Sequence, residues 1–239
     1  PPTHDSKEVI LALHLSSPFD ASRFDAPTEG AQPVTRHTYI YRDFAKRILD
    51  VCLVVIALIP AVLVILPFAI LIARDGRSPL YFQRRVGRGG RIFLMWKLRS
   101  MVPNAESLLE AYLADNPDAR AEWDVKQKLM HDPRITPVGR FIRKASIDEL
   151  PQLWNVLRGD MSLVGPRPML VDQREIYPGT AYYALRPGIT GFWQTSERNE
   201  TSFEERAAYD AAYLQSLTFV TDLRIMLRTA RVVAVGTGV

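Results

Sequence analysis

Between Val51 and Ala73 the chain runs for 23 residues without a charge, VCLVVIALIPAVLVILPFAILIA. No other stretch limits the fold as strongly. At about 1.5 Å per residue a straight helix of this length reaches ~34 Å, enough to cross a hydrocarbon core of about 30 Å. Helices of soluble cores seldom extend so far without a polar face, so membrane insertion is the expected reading. Two features argue against a simple crossing. Pro60 and Pro67 each remove a backbone donor and crowd the preceding turn, which favours a break. Both flanks are also basic: Arg42, Lys46 and Arg47 precede the segment, and eight basic residues against one acid lie between Arg74 and Arg99. Positive charge marks the cytoplasmic side, and a true span would strand one flank outside. The expectation is therefore a monotopic protein with a re-entrant, Pro-broken membrane helix over 41–75, its break at Pro60 or Pro67.

This segment hides in the averages. Mean hydropathy is −0.04 and 47% of residues are hydrophobic, ordinary values that exclude wholesale disorder. The net charge is +4 and the pI about 9.3. The basic residues gather beside the apolar segment, and no basic recognition helix, zinc finger or RNP pattern occurs, so nucleic-acid binding is not expected. Cys52 is the single cysteine, which excludes an intrachain disulfide and a Cys-cluster zinc site. Residues 1–40 mix Pro, Ser, Thr and Asp and read as a flexible arm, with no h-region that would mark a secretory signal.

Beyond the apolar segment the pattern predicts a mostly α fold with a small β-hairpin, of the α+β class, over 76–239. Leu80–Arg85 and Arg91–Leu98 read as strands around a Gly-rich turn. Helices are expected over Asn104–Ala114, Asp118–Met130, Val138–Lys144 and Ile147–Leu157, the last stopping at Gly159. A capping box at Thr201 and Glu204 should open another helix, to about Ser216. Over Val220–Val235, Arg224, Arg228 and Arg231 form one face opposite Leu223, Met226, Leu227 and Val233. That face is either solvated or laid on anionic lipid as an interfacial helix. No dinucleotide fingerprint, Walker A, HExxH or GxSxG pattern is present, and His4, His14, His37 and His131 are isolated.

The stretch Ser146-Ile147-Asp148-Glu149-Leu150-Pro151-Gln152 is the most informative for chemistry. Ser-x-x-Glu can be a capping box and nothing more. Its company points further, with Arg143 and Lys144 just before it and Arg167 fixed between Pro166 and Pro168. At a helix N-terminus Asp148 should stay ionised, available as nucleophile or metal ligand. Adjacent carboxylates without His or Cys suit a hard cation, Mg²⁺ first. Fixed guanidinium groups suit phosphate oxygens. Carboxylate, hard metal and Arg clamps beside a membrane anchor point to phosphoryl transfer on a lipid.

Several stretches together carry a resemblance: Lys46-Arg47-Ile48-Leu49-Asp50, Trp96-Lys97-Leu98-Arg99-Ser100-Met101, Asp132-Pro133-Arg134-Ile135-Thr136 and Gly139-Arg140-Phe141-Ile142-Arg143-Lys144. Ser146 through Leu153, Gly159 through Pro168 and Arg186-Pro187-Gly188-Ile189-Thr190-Gly191 complete it. From about Tyr41 to Val233 the chain resembles the bacterial sugar transferase family, the monotopic polyprenyl-phosphate phosphoglycosyl transferases. It looks closest to the short members that start exopolysaccharide or O-antigen units. The resemblance implies transfer of a hexose 1-phosphate from a UDP-sugar to undecaprenyl phosphate, at the cytoplasmic face of the bacterial inner membrane. It implies Asp148 as covalent nucleophile in a two-step course, and Glu149 in metal or proton handling. Asp148 and Glu149 would be the Mg²⁺ ligands, and Lys97, Arg143, Arg167 and Arg198 would serve phosphate and donor binding. It is compatible with a homodimer.

Two positions depart from the family pattern. Val62-Leu63 stand where a Ser-Pro pair usually breaks the membrane helix, so the break is expected to shift to a flanking proline. Glu197 stands where Gly is common, beside Arg198, at a cost if that backbone needs a positive φ. The rival expectation is a silent adaptor that binds anionic lipid through the Arg74–Arg99 cluster, each basic residue adding about 1 kcal/mol.

Overall fold

A computed structural model of the chain describes residues 40–126, 129–195 and 205–235. Residues 1–39 of the arm expected over 1–40, and the capping box at Thr201 and Glu204, lie outside them. After one turn of π-helix at Tyr41–Ala45, helix α1 occupies Lys46–Ile72. The hairpin follows as β1 (Leu80–Val86) and β2 (Ile92–Leu98), then α2 (Ala105–Asp115), α3 (Pro117–Lys126) and α4 (Pro137–Lys144). Next come a 3₁₀ turn at Ile147–Glu149, α5 (Gln152–Arg158), β3 (Ser162–Val164), β4 (Met169–Leu170) and α6 (Ala181–Ala184). Strand β5 (Gly188–Thr190) and helices α7 (Phe192–Thr195), α8 (Glu205–Gln215) and α9 (Phe219–Val235) complete the order. The fold is mostly helical with small sheets, as the periodicity indicates.

The hairpin pairs Leu80 with Leu98 and Val86 with Ile92, and β4 adds to its β1 edge. A separate parallel pair, β3 with β5, brings together two motifs distant in sequence. Here the backbones approach too closely for side chains. A Cβ on Gly188 would run into Gly165 N, and one on Gly165 into Arg186 O. Gly159, at φ +84°, ends α5 as expected, because left-handed backbone favours glycine.

Helix α1 differs from the expectation. It runs through Pro60 and Pro67 without interruption, and the predicted break is absent from its backbone assignment. Packing on both sides of Pro60 explains this. Val54, Ala61 and Ile65 share one core with Phe93, Met95, Leu153, Val156 and Met161. Phe68 stacks on Phe141 at 5.7 Å. Arg47 donates to the carbonyls of Val156 and Leu157 at one end, and Arg99 donates to the Ile72 carbonyl at the other. Positions 47, 50, 54, 61, 65, 68 and 72 recur at steps of three, four and seven, one stripe of a helix. The opposite side is bare and apolar: Ile56 is 74% exposed and Ile59 73%.

Two buried aspartates tie α1 to the body. Asp50 accepts hydrogen bonds from Ser162 Oγ at 2.7 Å and Leu163 N at 3.1 Å. Asp222, on α9 and 1% exposed, accepts from Tyr41 Oη at 2.8 Å, Lys46 Nζ at 2.5 Å and Tyr213 Oη at 2.6 Å. A buried ion pair holds only when such extra bonds satisfy both charges, and here they do so for the carboxylate. Helix α9 is also corrected by its contacts. Its inward stripe is Asp222, Ile225 and Thr229, while Leu223 and Leu227 share the exposed side with Arg224, Arg228 and Arg231. Leu227 is 63% exposed. Exposed Phe219 and Val220 extend that apolar-and-basic surface, the composition of an interfacial helix. Val233 lies beyond the side chains described.

Candidate active site

The site is assembled where β2 ends. Ser100 accepts a hydrogen bond at its carbonyl from Thr136 N, and Val102 N donates to Arg134 O. These bonds join the Trp96–Met101 and Asp132–Thr136 stretches. Arg134 is itself held by a buried fork to Asp132, at 2.8 and 2.6 Å. Thr136 caps α4, its Oγ1 accepting from Gly139 N at 2.9 Å, which removes one orphan donor of that helix. The last turn of α4 then carries Arg143, whose Nε donates to Ser100 Oγ at 2.9 Å. One guanidinium edge is thereby fixed, leaving the other toward the cavity.

The Ser146–Glu149 capping box does not form. Ser146 adopts φ +54° and makes no side-chain cap bond, and residues 147–149 are a 3₁₀ turn separate from α5. Glu149 turns instead to Lys97, with Nζ 2.8 Å from its Oε1. Asp148 lies 3.9 Å from the same ammonium and is 6% exposed. The helix-terminus expectation for Asp148 is thus replaced by a different balance. Burial pushes its carboxyl up to about 6, Lys97 opposes that, and Glu149 adds to it. The group still ionises near neutral pH, but poorly hydrated and weakly paired, which favours reaction at the carboxylate. Lys97 is aimed by Asn155 on α5, fully buried, whose side chain accepts from Trp96 N and donates to Leu94 O. That amide acts as a short third strand beside β2.

Arg167 enters from the β3–β4 connection. The close crossing at Gly165 and Gly188 fixes the turn, with Gly165 N donating to Thr190 O and Gly188 N to Pro166 O, both at 2.8 Å. The Arg167 guanidinium lies over the Trp193 ring, 5.4 Å from its centroid, an attraction worth about 0.5–1 kcal/mol or more when desolvated.

Lys97, Arg143, Asp148, Glu149 and Arg167 line one cavity of about 550 Å³. The sequence named all five, and the fold brings all five together. Arg198 and Glu197 lie outside the described residues. Leu163, Ile189 and Met226 form an apolar wall, and Gln194, Thr190 and Thr229 add polar atoms to it. Sequence reasoning gave none of these a role in the site, because Ser162–Val164, Gly188–Thr190, Phe192–Thr195 and Phe219–Val235 are separate segments that only the fold brings to the cavity. Among the described residues no group of three or more His, Cys, Asp or Glu could cage a metal. Two carboxylates without such a cage match Mg²⁺, which keeps waters and shares substrate phosphates.

A family model described as bacterial sugar transferase matches residues 41–236. The chain is 49% identical over 194 residues to a UDP-galactose-lipid carrier transferase of Erwinia amylovora, covering 80% of this chain and 40% of that protein. It is 48% identical over 193 residues to an undecaprenyl-phosphate galactose phosphotransferase of Salmonella typhimurium, again 80% of this chain and 40% of that protein. To the exopolysaccharide production protein ExoY of Sinorhizobium fredii it is 42% identical over 197 residues, 81% of this chain and 87% of the relative. The chain thus spans less than half the length of the first two.

Proposed function

Because the chain belongs to the bacterial sugar transferase family, we propose that it moves a sugar 1-phosphate from a UDP-hexose to undecaprenyl phosphate, beginning exopolysaccharide or another glycoconjugate. The observation that carries this reading is the meeting of Asp148, Glu149, Lys97, Arg143 and Arg167 around one cavity with an apolar wall. An adaptor for anionic lipid has no use for a buried, weakly paired carboxylate.

In the first half-reaction Asp148 attacks the β-phosphorus of the donor. The bond from that phosphorus to the bridging oxygen breaks, and UMP leaves with the oxygen and its electron pair. In the second, an oxygen of the lipid phosphate attacks the same phosphorus, the bond to Asp148 breaks, and the carboxylate is regenerated. Arg143 and Arg167 hold the charged oxygens in place, and Lys97 balances the paired carboxylates. Mg²⁺, when bound by Asp148 or Glu149 with the diphosphate, supplies further charge neutralisation.

Membrane placement follows the same reading. Both ends of α1 are tied to one body by Lys46 and Arg47 at the start and by Arg99 at the end. Such a tether supports a helix sunk into one leaflet from one side, with the body at the cytoplasmic face of the inner membrane. A cysteine introduced ahead of Lys46 should resist an impermeant label in intact cells. Labelling from outside would show that the helix crosses.

Chemistry is tested directly. Held in detergent or nanodiscs with Mg²⁺ and a UDP-hexose, the protein should release UMP and carry a phosphosugar on Asp148. Asp148→Asn should abolish both and leave membrane association unchanged. Turnover of that variant at the parent's rate overturns the nucleophile assignment. No product from any UDP-sugar, with undecaprenyl phosphate present, returns the adaptor reading.

A further inference from the structure

The turn that carries Arg167 is gripped at two successive carbonyls. Arg206 of α8 donates to the Arg167 carbonyl, and Arg85 of β1 donates through Nη1 to the Pro168 carbonyl at 2.9 Å. Arg85 also donates to Gln83 Oε1 at 2.6 Å. Both of its partners are neutral, and its Nε is buried without a hydrogen-bond partner among the described residues. A purely structural clamp would pair the guanidinium with a carboxylate, because a buried charge left without a counter-charge is costly. Like charges compound the cost. Burial first, then Arg167 and Arg206, bring the Arg85 guanidinium down to about 10.

Arg85 also faces the chemistry. Tyr81 pairs with Lys97 across the hairpin, and residues 81, 83 and 85 alternate onto one side of β1, so Arg85 and Lys97 share a face. With Lys97, Glu149, Arg167 and Gln194, Arg85 lines a recess of about 20 Å³, whose Lys97, Glu149, Arg167 and Gln194 also line the main cavity. The recess has room for about one water, so a phosphate would sit in the adjoining cavity against Lys97, Arg143 and Arg167, with Arg85 behind the last of these.

The geometry points to Arg85 as a positioning residue that, through the Pro168 carbonyl and its own uncompensated charge, makes the Arg167 side of the cavity a subsite for phosphate monoesters. This rests on the function proposed above and deepens it. An in-line displacement at phosphorus places the leaving group of the first half-reaction and the attacking group of the second at the same apical position. Both are phosphate monoesters, UMP in one case and the lipid phosphate in the other. One cationic subsite therefore serves both, and the two compete for it.

The test uses the full chain in detergent without a sugar donor, titrated calorimetrically with inorganic phosphate, UMP and undecaprenyl phosphate. Arg85→Gln keeps a donor for the Pro168 carbonyl and removes the charge. It should weaken UMP binding tenfold or more without lowering the melting temperature of the ligand-free protein. Arg85→Lys keeps the charge behind Arg167 and should stay within about threefold of the parent, since the same unit charge acts on the subsite. UMP and undecaprenyl phosphate should exclude one another. UMP binding by Arg85→Gln within twofold of the parent overturns the assignment, and so does an equal loss in Arg85→Lys. If Arg85→Gln does not fold, Arg85→Lys decides alone, and a tenfold loss there is fatal. Simultaneous binding of UMP and undecaprenyl phosphate overturns the shared position. Should inorganic phosphate bind in an Arg85-dependent way while UMP does not bind the parent, the subsite stands and the UDP-sugar reading fails.

Discussion

Asp148 and Asp222 are both buried, 6% and 1% exposed, and they are opposite in every other respect. Asp222 accepts from an ammonium and two phenolic hydroxyls, all within 2.8 Å. Among the described residues Asp148 has one cation within 4 Å, Lys97 at 3.9 Å, and that cation is committed more closely to Glu149 at 2.8 Å. Burial alone thus says little about what a carboxylate does. Satisfied, it cements α9 to the root of α1; left short of partners beside a cavity, it has the setting that a reactive carboxylate needs.

Removing the satisfied group should have the larger effect on folding. Asp222→Ala leaves Lys46 buried without its hydrogen-bonded partner, only Asp50 remaining near it, and breaking such a pair costs about 3–5 kcal/mol. Thermal melts of the detergent-held protein should show this as a large drop in Tm. A drop no greater than that of an exposed control such as Asp124→Ala would mean the network contributes no stability.

The unsatisfied group should instead make stability depend on pH. Its folded-state value of about 6 lies above the ordinary 3.8, so the folded chain holds the proton more tightly. Stability from this group is greatest below about 4 and is lost as pH rises through 6. Asp148→Asn should therefore stabilise the fold at pH 7.5 by about 2–3 kcal/mol, read as a higher Tm, and the gain should shrink toward pH 4.5. The rate of UMP release by the parent should fall about tenfold per pH unit below 6, because only the ionised carboxylate attacks. A flat profile between pH 5 and 7, with no stabilisation by Asn, would erase the contrast between the two aspartates.

Much of this was written in local pattern. The hairpin strands came within a residue of their observed bounds, since alternation and a Gly-rich turn suffice to place them. The start of α4 and the stop of α5 were legible from a proline and a glycine. The five cavity residues were recognisable because each sits in a compact motif. Other features have no local signature. Ser146 looks like a helix cap in sequence, yet Glu149 finds a better partner in Lys97, 52 positions away. Asp222 looks like one more surface acid on α9. The Arg85–Pro168 and Arg206–Arg167 clamps join elements 83 and 39 residues apart.

The sequence by itself determined that an uncharged 23-residue segment is long and apolar enough to meet lipid, and it named the carboxylates and basic residues that share the cavity. Hydrophobic length and short motifs act locally, so they survive without a fold. Only the tertiary structure decided that α1 stays helical through two prolines, because a body packed on either side of them holds the segment in register. It also decided which aspartate is fully paired and which is left weakly paired beside a cavity. That distinction depends on distance to a partner charge, and distance is a property of the folded chain.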